Sequence, residues 1–481
     1  MKVLRLAAVD LGATSGRVMV AEVGPERLDL HEVHRFPNAG VPVGDGLFWD
    51  LEALQGGVLA GLELAAAKGR LDGIGIDSWG VDYGLLDAHG RVLGDPHSHR
   101  DGRTDGVGEK VVAEIGAREL YAVNGLQQLP FNTIYQLVSS LGTPELAEAQ
   151  TMLLIPDLLG YWLTGETGAE RTNASTTGLY AVRSRRWATD LAARVGVPTR
   201  LLPPIRDPGS VLGGVLASVS PALAGVPVVA VGSHDTASAV VGVPAGDEPF
   251  AYVSSGTWSL VGLELDAPVL TEAARLADFT NETGVDETIR FLRNVMGLWV
   301  LSECVREWEA DLTSLLAAAA DAEPLRTVVD IDDPRFLPPG DMPGRVAALA
   351  REAGEPGPRD DVGMARCILD SLALAYRRQV GAAVRIGGVE PAVVHVVGGG
   401  ARNELLCRLT ADACGLPVLA GPTEAAALGN VLVQARALGA DLPDLRSMRA
   451  LIRRTHDVRR FGPDLGLDWS AAEARLAGRA G

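Results

Sequence analysis

Two stretches of this chain share one pattern, and that pattern limits the folds open to it. Residues 3–23 read VLRLAAVDLGATSGRVMVAEV: a strand, a turn of small residues around Gly12, and a second strand. Residues 251–265 read AYVSSGTWSLVGLEL, with the same strand, Gly-Thr turn and strand around Gly256, 244 residues further on. A repeat at that distance predicts an ancient duplication, hence two domains of one plan. The boundary is expected near 242–247, giving an N-terminal domain over 1–243 and a C-terminal domain over 244–481. Length agrees, since 481 residues exceed what one hydrophobic core serves.

The rest of each half follows suit. RLDLHEVHRF reads as a third strand, a helix is expected from about Trp49 to Lys68, and GIGIDSWGVDYGLLD reads as strand, glycine break, strand. The C-terminal half gives a helix over about 362–386, the strand AVVHVV, a glycine turn, a helix, the strand PVLAG and a helix from about Ala425. This is an α/β class with mixed sheets. PTRLLPPIRDPGS and EPGPRDD read as connectors.

Composition removes several functions. A formal charge of −18 offers no cationic footprint for nucleic acid. The six arginines between Arg446 and Arg460 read as a solvated face. No apolar run approaches the roughly 20 residues that span a bilayer. The N-terminal apolar stretch is broken by Arg5 and runs into Asp10, so it is not read as a signal peptide. The four cysteines form no CxxC pair, which fits inert thiols in the cytoplasm. Oligomeric state is left open.

Six segments carry candidate chemistry. In DLGATSGR, residues 10–17, the glycine turn exposes backbone N–H groups, Thr14 and Ser15 add hydroxyls, and Arg17 adds a bidentate cation. Such a concave donor cluster suits phosphate oxygens. Asp10 is a candidate Mg²⁺ ligand through water; a hairpin turn capped by Asp10 is the plainer alternative. SSGTWS at 254–259 offers a similar turn with Thr257. In HVVGGGARNELL three glycines let a flat ligand approach the backbone, although neither a P-loop lysine nor a dinucleotide fingerprint is present. GIDSWGVDYGLLD and HSHRDGRTDG look like hydroxyl readers built on Asp77, Trp79, Gly80, Asp82, Arg100, Asp101 and Arg103, with His97 and His99 placed on a surface loop rather than on a metal. Finally, AVGSHDTASAVVG sets Asp235 among small and apolar residues, after a strand expected over Val226 to Val231. It is either a helix cap or a catalytic base at a strand's carboxyl end.

These motifs, together with HRDGRT, GLQQLPFNTIYQL, PDLLGYWLTG, TNASTTGLY and RNVMGLWVLSE, occur in the order of one known family. The chain resembles the FGGY carbohydrate kinases from residue 3 to about 455, and WGVDYGLLD, LPFNTIYQL and NVMGLW resemble the members that act on L-rhamnulose. The resemblance implies two ribonuclease-H-like domains of the actin/Hsp70 type around a central cleft. It implies transfer of the ATP γ-phosphoryl to O1 of a small ketose, L-rhamnulose, with Asp235 as general base. It assigns sugar contacts to Gly80, His234 and Asp235. Ala13, Thr14, Ser15, Gly16, Arg17, Thr257, Asn294 and Gly399 match the nucleotide site. Ser302 stands where a longer polar side chain is expected beside ATP, and His99 where an aromatic is expected. Asp10 and Asp235 are the candidate Mg²⁺ ligands. L-fuculose, D-xylulose and glycerol are the rival substrates, and a non-catalytic ATP-binding clamp is the rival of another class.

Overall fold

The computed structural model describes residues 2–477. The chain divides into two compact units, each drawn from more than one stretch. The first holds residues 2–242, 265–291 and 425–455; the second holds 243–264, 292–424 and 456–477.

The first unit is built on a six-stranded sheet in the order Val211–Gly214, Pro227–Val229, Gly73–Ser78, Leu4–Leu11, Ser15–Gly24, Arg27–Pro37. Leu4–Leu11 pairs antiparallel with Ser15–Gly24 and parallel with Gly73–Ser78. Its sequence is almost continuously apolar because both faces are covered. Side chains alternate across a strand, so Ala7, Val9 and Leu11 face one core with Leu54, Val58, Leu62 and Ala65 of the helix Leu51–Ala67. Leu6 and Ala8 face the other, with Leu428, Val431 and Leu432 of Ala425–Ala437 and Met448 and Ile452 of Leu445–Thr455. Those late helices belong to the first unit because their apolar faces complete this second core. Asp50 starts the helix Leu51–Ala67 by accepting from the Ala53 amide at 2.8 Å.

Three strands of this sheet run parallel and end together. Asp10 and Asp77 are direct partners in the Leu4–Leu11/Gly73–Ser78 register, and Ser78 bridges to His234. The carboxyl ends therefore gather the segments carrying Asp10, Asp77 and Asp235. The strand expected over Val226 to Val231 is shorter, Pro227–Val229. Ala230 leaves the ladder to exchange backbone bonds with Gly209 and Ser210 at 2.7 and 2.8 Å.

The second unit repeats the central pairing. Phe250–Ser255 is antiparallel to Ser259–Leu265 and parallel to Val393–Val397, which is parallel to Val418–Ala420. The helix Asp361–Gly387, capped by Asp360 through the Gly363 amide at 2.7 Å, packs against Glu404–Cys414. The arginine segment is only partly a solvated face. Arg449 is buried and donates to the Val240 carbonyl at 3.0 Å.

The helices Asp235–Val241 and Ala425–Ala437 approach closely because one contributes Gly242 at its end and the other Gly429. A Cβ on Gly429 would lie 1.9 Å from the Ser238 carbonyl oxygen, and one on Gly242 would lie 2.1 Å from that of Ala425. Gly429→Ala should therefore lose about 1–3 kcal/mol in urea unfolding. Gly56→Ala, on an exposed helical turn with nothing within 4 Å, should gain about 0.5–1 kcal/mol in the same experiment.

Candidate functional site

The turn after Leu4–Leu11 is a donor cradle. The Gly12 amide donates to the Ser15 carbonyl at 2.9 Å, and Asn38 braces the turn by donating to the Gly12 carbonyl at 2.7 Å. The amides of Ala13 and Thr14 have no acceptor among the described residues, and Thr14 is exposed. Ser15 accepts a long bond from Arg35 at 3.4 Å, which brings a second cation beside Arg17. Gly16 serves packing: a Cβ there would sit 2.3 Å from the Phe36 ring.

Arg17 contacts Asp10 at 2.5 Å. Asp77 lies beside them and is fully buried, accepting from Asn430 at 2.6 Å through one oxygen. Its other oxygen has no hydrogen-bond partner. Burial, then the charge of Asp10, then that of Asp235, push its pKa well above the ordinary carboxylate range against the pull of Asn430. Asp77 is thus a buried neighbour of Asp10, not the hydroxyl reader expected from its sequence. The crowded negative charge fits a hydrated divalent cation, which takes one or two carboxylates and keeps its waters; no group of three or more acidic, His or Cys side chains suited to direct coordination occurs among the described residues.

Asp82 is the second correction. It too is buried, and one of its oxygens takes Trp49 Nε1 at 2.7 Å, Trp79 Nε1 at 2.9 Å, the His99 amide at 3.0 Å and His99 Nδ1 at 2.8 Å. The other takes Gln136 Nε2 at 3.0 Å. Burial pushes its pKa up, but the His99 ring and these donors outweigh it and hold the carboxyl below its ordinary range. Asp82 is consumed as a hub, so it cannot read a hydroxyl. His99 is accordingly drawn inward rather than left on a surface loop, while His97 lies against Phe48 with ring centroids 4.2 Å apart and planes tilted by 35°. The hub fixes the turn at Gly80, where a Cβ would meet Thr176 Oγ1 at 3.0 Å. The next residue, Val81, has φ of +72°, a region that β-branched residues avoid. Its carbonyl accepts from Thr133 at 2.7 Å, which holds the strained turn in place.

Asp235 is the first residue of the helix Asp235–Val241, and His234 is its N-cap. The cap reading of Asp235 is therefore not what the backbone shows. Oδ1 accepts from the Thr236 amide at 2.5 Å and the Thr236 hydroxyl at 3.1 Å, and His234 Nε2 lies 3.5 Å away. Oδ2 takes no bond from the described residues, and the side chain is 35% exposed. The residues before it are gripped by groups the sequence did not single out. Glu170, fully buried, accepts from the Ser233 amide and hydroxyl at 3.0 and 2.9 Å and from Thr172 and Asn173. His234 Nδ1 lies 3.2 Å from Glu282, which lies 2.9 Å from Arg290. The only signal for Glu170 was its place just before TNASTTGLY; NETG around Glu282 reads as an exposed turn.

On the second unit, the turn at Thr257 is exposed, and the Leu298 amide donates to the Gly256 carbonyl at 3.2 Å. Gly297, with φ of +63°, lets these backbones meet: a Cβ would be 2.5 Å from the Thr257 carbonyl oxygen. Ser255 abuts the glycine turn, since a Cβ on Gly400 would lie 2.0 Å from its hydroxyl. Thr257, the Asn294 strand end, Ser302 on the helix Trp299–Trp308 and Gly399 thus share one end of this unit's sheet. Ser302 is exposed, and Gly399 has open space above it.

Family models for the N- and C-terminal domains of the FGGY family of carbohydrate kinases match residues 6–242 and 251–438. The chain belongs to this family, whose sugar kinases use ATP. It is 43% identical over 479 residues to a rhamnulokinase of Pectobacterium atrosepticum, covering 98% of this chain and 95% of that one. It is 41% identical to a rhamnulokinase of Bacteroides thetaiotaomicron, covering 97% of each. Among solved structures, a xylulose kinase of Lactobacillus acidophilus matches its fold with a TM-score of 0.82 at 15% identity, over 99% of this chain and 96% of that one. A gluconate kinase of the same organism gives 0.81 at 15%, over 99% and 97%.

Near Glu170, Asp157 is buried with one oxygen unpartnered. Burial and then the Glu170 charge push its pKa well above the ordinary range. A carboxyl raised in the folded state contributes its stability below the unfolded pKa and loses it as pH rises towards the folded one. The unfolding free energy of Asp157→Asn, from urea titrations at each pH, should therefore gain on wild type from pH 4 upward, by up to about 1.4 kcal/mol per pH unit. A constant difference across that window would mean Asp157 is ionised in the folded protein.

Proposed function

We propose that the chain transfers the γ-phosphoryl group of ATP to O1 of L-rhamnulose, giving L-rhamnulose 1-phosphate and ADP. The observation that carries this is Asp235: one oxygen is tied to Thr236, the other is open, and the residue stands at the end of parallel strands beside the phosphate-type turn. Whole-length similarity to curated rhamnulokinases supports the choice of sugar.

In this reading Asp235 orients the O1 hydroxyl through Oδ2 and takes its proton as the bond to phosphorus forms and the bond to the ADP oxygen breaks. Phosphoryl transfer has a largely dissociative transition state, so a weak base suffices and positioning carries most of the rate. Ala13, Thr14 and Ser15 donate to the transferring group, Gly16 keeps the turn close, and Arg17 adds charge. Gly80 and His234 contact the sugar. Thr257, Asn294, Ser302 and Gly399 hold the nucleotide. In this reading 1–243 carries the sugar, phosphate turn and base, and 244–481 the nucleotide, apart from 265–291 and 425–455, which pack into the first unit. Asp10 and Asp235 would hold Mg²⁺, which would neutralise phosphate charge there when bound. A cytoplasmic location belongs to this reading, supported by four cysteines that are all free thiols.

The test is ADP release with Mg·ATP and a panel of L-rhamnulose, L-fuculose, D-xylulose and glycerol. L-rhamnulose should give the highest kcat/KM, and Asp235→Asn should lower kcat by about 10²–10⁴-fold while ATP still binds. Preference for another sugar overturns the substrate. ATP binding without turnover of any sugar favours the clamp.

A further inference from the structure

Arg290 is completely buried, and its charge faces Glu282, itself almost fully buried. Such a pair costs desolvation on both sides, and apolar residues of similar size usually serve a core as well or better. Its presence needs a reason, and its placement gives one. Glu282 lies on the strand Thr280–Thr283, all four residues of which are buried, and Arg290 on the following strand Ile289–Val295. The Arg290 guanidinium also reaches back to the Thr283 carbonyl, at 3.4 Å from Nε and 3.3 Å from the second terminal nitrogen. The Thr283 amide in turn donates to Ser175 at 2.9 Å. The pair is thus anchored at both ends, and it faces the His234 ring.

Both partners meet Nδ1 of that ring: Glu282 at 3.2 Å and Arg290 at 3.2 Å. With Nδ1 held, Nε2 is the nitrogen directed towards Asp235, 3.5 Å from Oδ1. Consecutive residues of the segment are then fixed by different groups: Ser233 by Glu170, His234 by Glu282 and Arg290, and Asp235 by Thr236.

We propose that Glu282 and Arg290 are positioning residues, a buried ion pair that fixes the His234 ring and thereby aligns the acceptor hydroxyl with Asp235. This rests on the kinase reading above and adds to it two residues outside its contact set. Glu282 stays ionised in this arrangement because Arg290, followed by His234, outweighs the effect of burial.

The test uses the full chain and the ketose that wild type turns over best. Glu282→Gln should worsen kcat/KM for the ketose at least tenfold and leave the KM for ATP within twofold. Combined with His234→Ala, it should add little to the loss from His234→Ala alone, because both act through one ring. Should the single variant fail to fold, Glu282→Leu with Arg290→Met restores an apolar core and should show the same ketose defect. Wild-type ketose kinetics in a folded variant, or losses that multiply with His234→Ala, would overturn the proposal. Independently of turnover, the ring ¹⁵N resonances of His234 should move in Glu282→Gln; unmoved resonances would overturn it too. A wild type that turns over no ketose sinks the kinase reading, and the resonances alone then decide whether the pair fixes the ring.

Discussion

The first unit depends on one register. Asp10 and Asp77 are paired across neighbouring parallel strands, so two carboxylates occupy one sheet end with Arg17 and Asn430 to balance them. Asp235 adds a third carboxyl group to the same region, as its effect on Asp77 records. A fold with no use for that charge would gain from losing it. Keeping it makes sense when cationic or phosphate-bearing ligands complete the balance, and the donor turn at 12–15 supplies the second half of such a site. A one-residue slip would turn every side chain of the strand Leu4–Leu11 over, driving Ala7, Val9 and Leu11 into the core now packed on Leu6 and Ala8 and removing Asp10 from the site.

Around this centre the molecule uses buried carboxylates in two ways. Asp82, Glu170 and Glu282 are each surrounded by donors or a cation and act as clamps: on the Gly80 turn, on Ser233 and on His234. Asp77 and Asp157 each keep an oxygen without a partner, and burial raises the pKa of both well above the ordinary range, where Glu170 is raised less because Thr172 and Ser233 donate to it. The clamps rigidify the loops that contact substrate in the kinase reading, which is how loops reach the positional precision that catalysis requires. The strained Val81 turn belongs with them, because its conformation persists only where neighbours such as Thr133 hold it.

Much of the frame was legible in the chain itself. The repeated hairpins, the helix after Asp50 and the glycine turn after AVVHVV follow from periodicity and turn chemistry, which are local properties. Asp10 and Asp235 stood out because each is an acid set among apolar neighbours. The clamps did not stand out. Glu170 and Glu282 sit among polar residues, and Arg290, though flanked by Ile289 and Phe291, reads as the outward-facing charge of an alternating strand. Asp82 was legible as an unusual residue but not as a hub, since its donors Trp49, His99 and Gln136 come from three separate stretches. Nor could periodicity tell that the helices of 425–455 complete a core begun by residues 4–23; an amphipathic pattern announces a partner without naming it.

The central claim is that Asp235 acts as a base in a single direct transfer and not as an acceptor of phosphate. The most direct measurement is the stereochemical course at phosphorus, using ATP made chiral at the γ-phosphoryl group with oxygen isotopes and the preferred ketose. One in-line displacement inverts the configuration, and inversion is the predicted result. Retention would mean two displacements through a phosphorylated side chain, with His234 or Asp235 the nearest candidates, and would contradict the account.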